Sequence, residues 1–271
     1  MNELYLVLYG YIPYAVVMIF LVGIIYRVAT WITAKGGLVG LYNANVCLYR
    51  DDWGGSTMTE VLKRIFIFYT LPGRDRDWSL FIGSFLFHWG GIWIALIGHL
   101  GIVIPGTYLE RWFGLTPSLH QTIALYVGGT AGTIALIGLL ILIVRRIAGR
   151  TITVRVMGEY KVRIPLRMFS FLDDYFAVAI LLAIIVLGLY QTLGITPYNP
   201  AYVDVISKWM WSLVMLHPNI QPIINYPILQ VHALLAMVFI AYFPWSKMMH
   251  PFSFLFMPTI ARPAIKVKTT G

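Results

Sequence analysis

The chain has 271 residues, of which 59% are hydrophobic and 11% charged, with a net charge of +9. Soluble domains carry about 25% charged residues, so this composition excludes an ordinary water-soluble globule and points to a bilayer. The positive charge does not indicate nucleic acid, because the basic residues sort by membrane topology and form no compact basic domain. The single cysteine, Cys47, excludes an internal disulfide or a four-cysteine cluster in this chain.

Each membrane span needs roughly 20 mostly apolar residues. The first such run covers residues 4–26, and its start lacks a basic leader region and a small-residue cleavage site, so it is expected to be a retained helix. Residues 57–69 follow, with Thr57 and Glu60 at capping-box spacing and Val61, Leu62, Ile65 and Phe68 at helical spacing. This predicts an amphipathic helix on the inner surface. The second run is 80–104 and the third 122–144, where Gly128, Gly129 and Gly132 predict close helix packing. Residues 151–163, rich in Val, Thr and Arg, are expected to form a short hairpin. Asp173 and Asp174 stand at the start of the fourth run, 171–193, as N-terminal helix charges. The stretch 202–216 is too short to cross, contains Asp204 and Lys208, and offers Trp209 and Trp211 to an outer interfacial helix. The fifth run is 226–243. The fold expected is an all-α integral membrane protein, one domain over 1–271 built as a five-transmembrane-helix bundle.

The basic residues give this bundle a direction. Arg27 to Arg76 lie between the first and second runs, Arg145 to Arg167 between the third and fourth, and Lys247 to Lys268 after the fifth; only Arg111 and Lys208 fall elsewhere. The positive-inside rule then places the N-terminus outside and the C-terminus in the cytoplasm.

Four of the six histidines fall in or beside the second and fifth spans. His88 and His99 are 11 residues apart, close to three helical turns, and His232 and His250 are 18 apart, or five turns. Each pair is expected to share a helix face. Two such helices can clasp two planar cofactors, since neutral imidazole is a common haem-iron ligand. The spans run antiparallel, so His88 pairs with His250 on the inner side and His99 with His232 on the outer side. The separations differ, about 16 Å along span two against about 27 Å along span five at 1.5 Å per residue. Pro244 is expected to end or kink span five and absorb part of that difference. Gly90, Gly91, Gly98 and Gly101 are expected to let a macrocycle approach span two. Four core histidines bonded to neighbouring helices are the plainer alternative, which two in-phase pairs disfavour. No C-x-x-C-H occurs, so the haems are expected to be held without thioether links. His120 and His217 lie at outer-side positions, where facing water is the simpler expectation.

Phe87-His88-x₁₀-His99, the segment Leu125 to Gly132, and His232-x₁₁-Pro244-x-Ser246-Lys247-x-x-His250 together resemble the gamma (cytochrome b) subunit family of respiratory nitrate reductase. The ending Phe243 to Thr259, with Asp173-Asp174-Tyr175-Phe176, is similar to one branch of it. That branch contains the membrane subunit of the dissimilatory sulfite reductase-linked complex and the cytochrome b subunit of heterodisulfide reductase. The resemblance implies two haems b and oxidation of a membrane quinol, menaquinol, at the outer haem. It also implies a cytoplasmic iron–sulfur subunit of the cysteine-rich, heterodisulfide reductase type. The span-two histidines are one residue further apart than in the nitrate reductase subunit. Thr122 stands near the place of that subunit's quinol-binding lysine, with His120 half a turn away as the candidate proton acceptor. The same wire run backwards would be a quinone reductase. A haem-free anchor or transporter is the rival from another class, and no internal repeat or acidic residue at the hydrocarbon centre favours it.

Overall fold

The computed structural model describes residues 2–33, 59, 62–68, 78–148, 151–156, 160–199 and 201–250. Among these, five helices are long and apolar enough to cross a membrane: Glu3–Thr33, Trp78–Val103, Pro117–Ile147, Leu172–Ile195 and Pro227–Trp245, spans one to five. In hydrocarbon, each backbone N–H and C=O must be satisfied within its own segment, which is why runs this apolar are helical. The expected boundaries differ mainly where more polar residues carry a helix beyond its apolar run, after Tyr26 in span one and before Thr122 in span three. Span three begins at a capped end: Thr116 Oγ1 accepts from the Leu119 N–H at 3.3 Å, and Pro117 takes the first helical position. Span four begins where the Asp174 carboxylate accepts from the Phe171 N–H at 2.9 Å, and Arg146 lies 3.7 Å from the same carboxylate. Asp173 and Asp174 thus occupy the first turn, where the helix dipole favours negative charge.

The helices are not α-helical throughout. Val7–Tyr11, His88–Leu96, Ala124–Gly128 and Tyr190–Ile195 are π-helical. An i→i+5 turn takes more residues than an α turn, so counting 100° per residue does not carry across His88–Leu96. The expectation that His88 and His99 share a face therefore loses its warrant as a turn count. The strands among the described residues are an antiparallel hairpin, β1 (Thr151–Val156) and β2 (Tyr160–Pro165), in which Arg155 pairs with Lys161. Of residues 57–69, the structure describes Thr59 and 62–68, with Lys63–Ile67 π-helical; Thr57, Met58, Glu60, Val61 and Tyr69 lie outside the described residues. The segment Phe254 to Thr259 lies outside them too.

Contacts divide the chain into two units, residues 1–17 with 77–241 and residues 18–76 with 242–271. In the first unit span three is the hub. A Cβ at Gly138 would stand 2.4 Å from the Phe87 nitrogen, and one at Gly90 would stand 2.5 Å from the Ala131 oxygen, so spans two and three meet backbone to backbone. On the opposite side, Gly129 and Gly132 receive Leu193 and Leu189 of span four. Small residues at these positions allow the close packing that drives helix association in lipid. A second cluster joins Tyr9 and Val16 of span one, the helix Tyr202–Val214, and Leu229, Ala233 and Met237 of span five. Trp209 is 5% exposed and donates its indole N–H to the Tyr9 oxygen at 3.0 Å. That tryptophan is therefore a buried residue of the helix Tyr202–Val214, with its one polar group satisfied inside the protein. Ser207 similarly donates to the Ile102 oxygen at 2.6 Å, supplying a partner to the C-terminal end of span two before Pro105.

In the second unit, Phe20, Gly23, Tyr26 and Arg27 of span one meet Phe243, Pro244 and Trp245 at the end of span five. As expected, Pro244 ends the regular helix, which tightens into a 3₁₀ turn over Phe243–Trp245.

Candidate functional site

His88 and His99 sit in span two with their Nδ1 atoms 2.7 Å from the Ser84 oxygen and 2.6 Å from the Ala95 oxygen. A carbonyl only accepts, so Nδ1 is the protonated nitrogen in each ring. That assigns the lone pair to Nε2, the arrangement in which a backbone carbonyl orients a metal-ligating histidine. The glycines of span two divide into two groups. Gly90 and Gly91 pack against Ala131 and Ala135 of span three, so they serve helix contact and not the expected macrocycle approach. Among the described residues, no atom lies within 4 Å of where a Cβ on Gly98 or Gly101 would stand, and His99 between them is exposed.

His232 in span five is half-buried. Its Nδ1 is buried and has no hydrogen-bond partner among the described residues. Leaving a buried polar atom unpaired costs roughly 1–3 kcal/mol, so an orphaned imidazole nitrogen calls for an explanation, and a metal is one. His232 and His99 lie within electrostatic reach of each other. The ring of His232 stands over Gly188 of span four, where an added Cβ would lie 3.3 Å from Cε1. Only a residue without a side chain leaves that ring its full room.

His250 closes the 3₁₀ turn Lys247–Met249, with Nδ1 3.4 Å from the Lys247 oxygen. Ser246 caps the turn, its Oγ accepting from the Met248 N–H at 3.1 Å. His88 belongs to the first unit and His250 to the second, so their pairing rests on the sequence alone. His120 is half-buried in the last turn of the short helix Pro117–Ile123 that opens span three; no hydrogen bond or ion pair joins it to His99 or His232 among the described residues. His217 is exposed, as expected.

Among the described residues no three of His, Cys, Asp and Glu converge as a protein-only metal site requires. A haem iron needs only axial ligands from the protein. A carbonyl-oriented His99, an orphaned His232 nitrogen and, among the described residues, free space beside Gly98 and Gly101 fit that need.

Sequence reasoning missed a buried polar chain beside this site. Tyr202 donates to Gln191 Oε1 at 2.7 Å, Gln191 Nε2 donates to the Leu187 oxygen at 3.0 Å, and Thr196 Oγ1 donates to the Gln191 oxygen at 2.9 Å. Gln121 Nε2 then donates to the Thr196 oxygen at 3.0 Å. Burial, with Tyr226 adding to it, raises the Tyr202 phenol above its ordinary range and keeps it a donor. The chain ties span three, span four and the Tyr202–Val214 helix together within one turn of Gly188. The signal available was Gln191 itself, an amide inside an otherwise apolar span.

The family model for the nitrate reductase gamma subunit matches residues 76–269. The chain belongs to the nitrate reductase gamma subunit family. The match takes in spans two to five and all four candidate ligand histidines, and leaves span one outside it. The nitrate reductase gamma chain of Bacillus subtilis is 26% identical over 253 residues, which cover 91% of each chain. The nitrate reductase-like protein NarX of Mycobacterium tuberculosis is 30% identical over 188 residues, 66% of this chain. This chain spans about a quarter of the length of NarX, with 26% of that relative covered. Gamma subunits are membrane cytochrome b subunits of respiratory oxidoreductases, and five candidate spans accord with a multi-pass membrane protein.

Proposed function

We propose that this gamma-family chain is a dihaem cytochrome b of the cell membrane that oxidises menaquinol for a cytoplasmic iron–sulfur partner. The observation that carries the reading is the outer pair: His99 with its Nδ1–H committed to a carbonyl, and His232 with a buried nitrogen lacking a partner. Haem b bound at His99/His232, and a second at His88/His250, would relay electrons between the quinol side and the partner. The chain's own part is to hold the His88 and His99 imidazoles in one tautomer, through the Ser84 and Ala95 carbonyls, and to leave room beside His99 at Gly98 and Gly101. His120, half-buried at the opening of span three, is the residue we assign to accept the quinol proton.

The distribution of Lys and Arg supports an outside N-terminus and a cytoplasmic C-terminus. It also supports docking of the partner on the basic loops, the 57–69 segment and the β1–β2 hairpin. The 202–216 segment would then lie at the outer side. The ending Phe243 to His250 supports a partner of the cysteine-rich, heterodisulfide reductase type.

The test is a reduced-minus-oxidised spectrum with pyridine haemochrome quantitation on wild type, His99→Ala and His250→Ala, followed by reduction with menaquinol analogues. About two b haems per chain, one lost in each variant and both reducible by quinol, are expected. Wild-type protein without haem, or haem that quinols neither reduce nor perturb, refutes the proposal.

A further inference from the structure

Span one contains no histidine and lies outside the family match, yet it grips the last residues of span five. Phe20, Gly23 and Arg27 recur at helical spacing along one face. Phe20 lies against Phe243, with ring centroids 6.0 Å apart, and Tyr26 lies against Trp245 at 5.9 Å. A Cβ at Gly23 would stand 2.6 Å from Pro244 Cβ, so the proline sits against the helix backbone of span one. Arg27 donates from Nε to the Pro244 oxygen at 2.9 Å and from Nη2 to the Trp245 oxygen at 3.2 Å. A helix end leaves carbonyls without intrahelical partners, and a basic side chain there satisfies them and the dipole together. An arginine near the end of a span ordinarily extends to the water interface; here two of its donors are committed to another helix.

The carbonyls it holds stand immediately before the turn that carries His250. Ser246 Oγ donates to the Phe243 oxygen at 2.8 Å and accepts from the Met248 N–H, Met249 is buried, and His250 follows. Every link from the guanidinium to the imidazole is therefore a short, hydrogen-bonded or buried piece of chain.

We propose that Arg27 is a positioning residue for His250, with span one acting as the clamp that sets where that imidazole stands. The inference rests on His250 being a haem ligand. A planar fork that donates to two successive carbonyls is what arginine offers; lysine supplies the charge without the fork.

The test uses the full-length chain in membranes and compares Arg27→Gln and Arg27→Lys with wild type, His99→Ala and His250→Ala. The readouts are b-haem content, redox titration and the low-spin haem electron paramagnetic resonance signal. Arg27→Gln is expected to lose the component that is missing from His250→Ala, or to shift its potential and resonance. The component missing from His99→Ala should keep its wild-type values, and Arg27→Lys should recover part of the change. Unaltered potentials for both components in Arg27→Gln, or equal loss of both haems, overturn the inference. Should Arg27→Gln fail to accumulate, Arg27→Lys decides: an altered His250-dependent component supports the clamp and a wild-type one overturns it. A wild-type chain with no His250-dependent haem overturns the reading of His250 as a ligand, and the inference with it, so the two failures are told apart.

Discussion

Replacing Gly188 by alanine sets two opposed effects against each other. In the interior of a helix, glycine costs roughly 0.5–1 kcal/mol relative to alanine, so Gly188→Ala should favour span four by about that amount. The new methyl would stand 3.3 Å from His232 Cε1, close enough that the ring must give by a few tenths of an ångström. Overpacking of this kind costs roughly 1–3 kcal/mol. If that cost falls on the imidazole–iron bond, retention of the outer haem weakens by about 5- to 150-fold. The expected result is a chain that inserts and resists heat as well as wild type, holds the His250-dependent haem, and has a depleted or shifted His99-dependent haem. Gly128→Ala is the control, because its nearest neighbour, Thr192 Cγ2, is 3.8 Å from the new methyl, an ordinary contact. The assay is haem quantitation with redox titration on detergent-solubilised protein, alongside a thermal aggregation curve. An outer haem with wild-type content and potential in Gly188→Ala would show that His232 does not need the space that Gly188 leaves.

Four further outcomes are expected. His99→Ala and His232→Ala should remove the same spectral component, and loss of different components would break the outer pairing. Gly90→Ala should lower the yield and thermal stability of the whole protein, because its methyl would meet the Ala131 oxygen at 2.5 Å and backbone cannot step aside; normal accumulation with both haems would contradict the tight crossing of spans two and three. Tyr202→Phe leaves the buried Gln191 acceptor without its donor, at a cost of roughly 1–3 kcal/mol. This should appear as a lower midpoint in thermal aggregation with haem content unchanged. The Tyr202 phenol is raised in the fold, so its contribution to stability is present below its ordinary range and is lost progressively as pH climbs above about 10 towards the raised value. The alkaline limb of a stability curve should therefore be shallower in Tyr202→Phe than in wild type, and identical limbs would rule out that linkage.

Much of the architecture was legible without coordinates. Five runs of apolar residues can satisfy their backbones in lipid only as helices, so composition and length determined how many spans there are and roughly where they lie. The acidic start of span four and the β1–β2 hairpin were also readable, from Asp173, Asp174 and the Val- and Thr-rich 151–163 stretch. The four ligand candidates were legible because a histidine in or beside an apolar span has few other uses.

What the sequence could not determine was how one helix meets another. The turn count from His88 to His99 assumes a constant pitch, and the π-helical stretch His88–Leu96 breaks that assumption. The glycines of span two look alike in a string of letters. Only packing separates Gly90, pressed against Ala131, from Gly98, which touches none of the described residues. Nothing in the string of letters tells that the Tyr9 carbonyl accepts the Trp209 N–H. Gly188, under His232, and Arg27, on the carbonyls before His250, are separated by 44 and 223 residues from those histidines. No local pattern encodes such contacts, because they arise from side chains and carbonyls that become neighbours only when the helices pack.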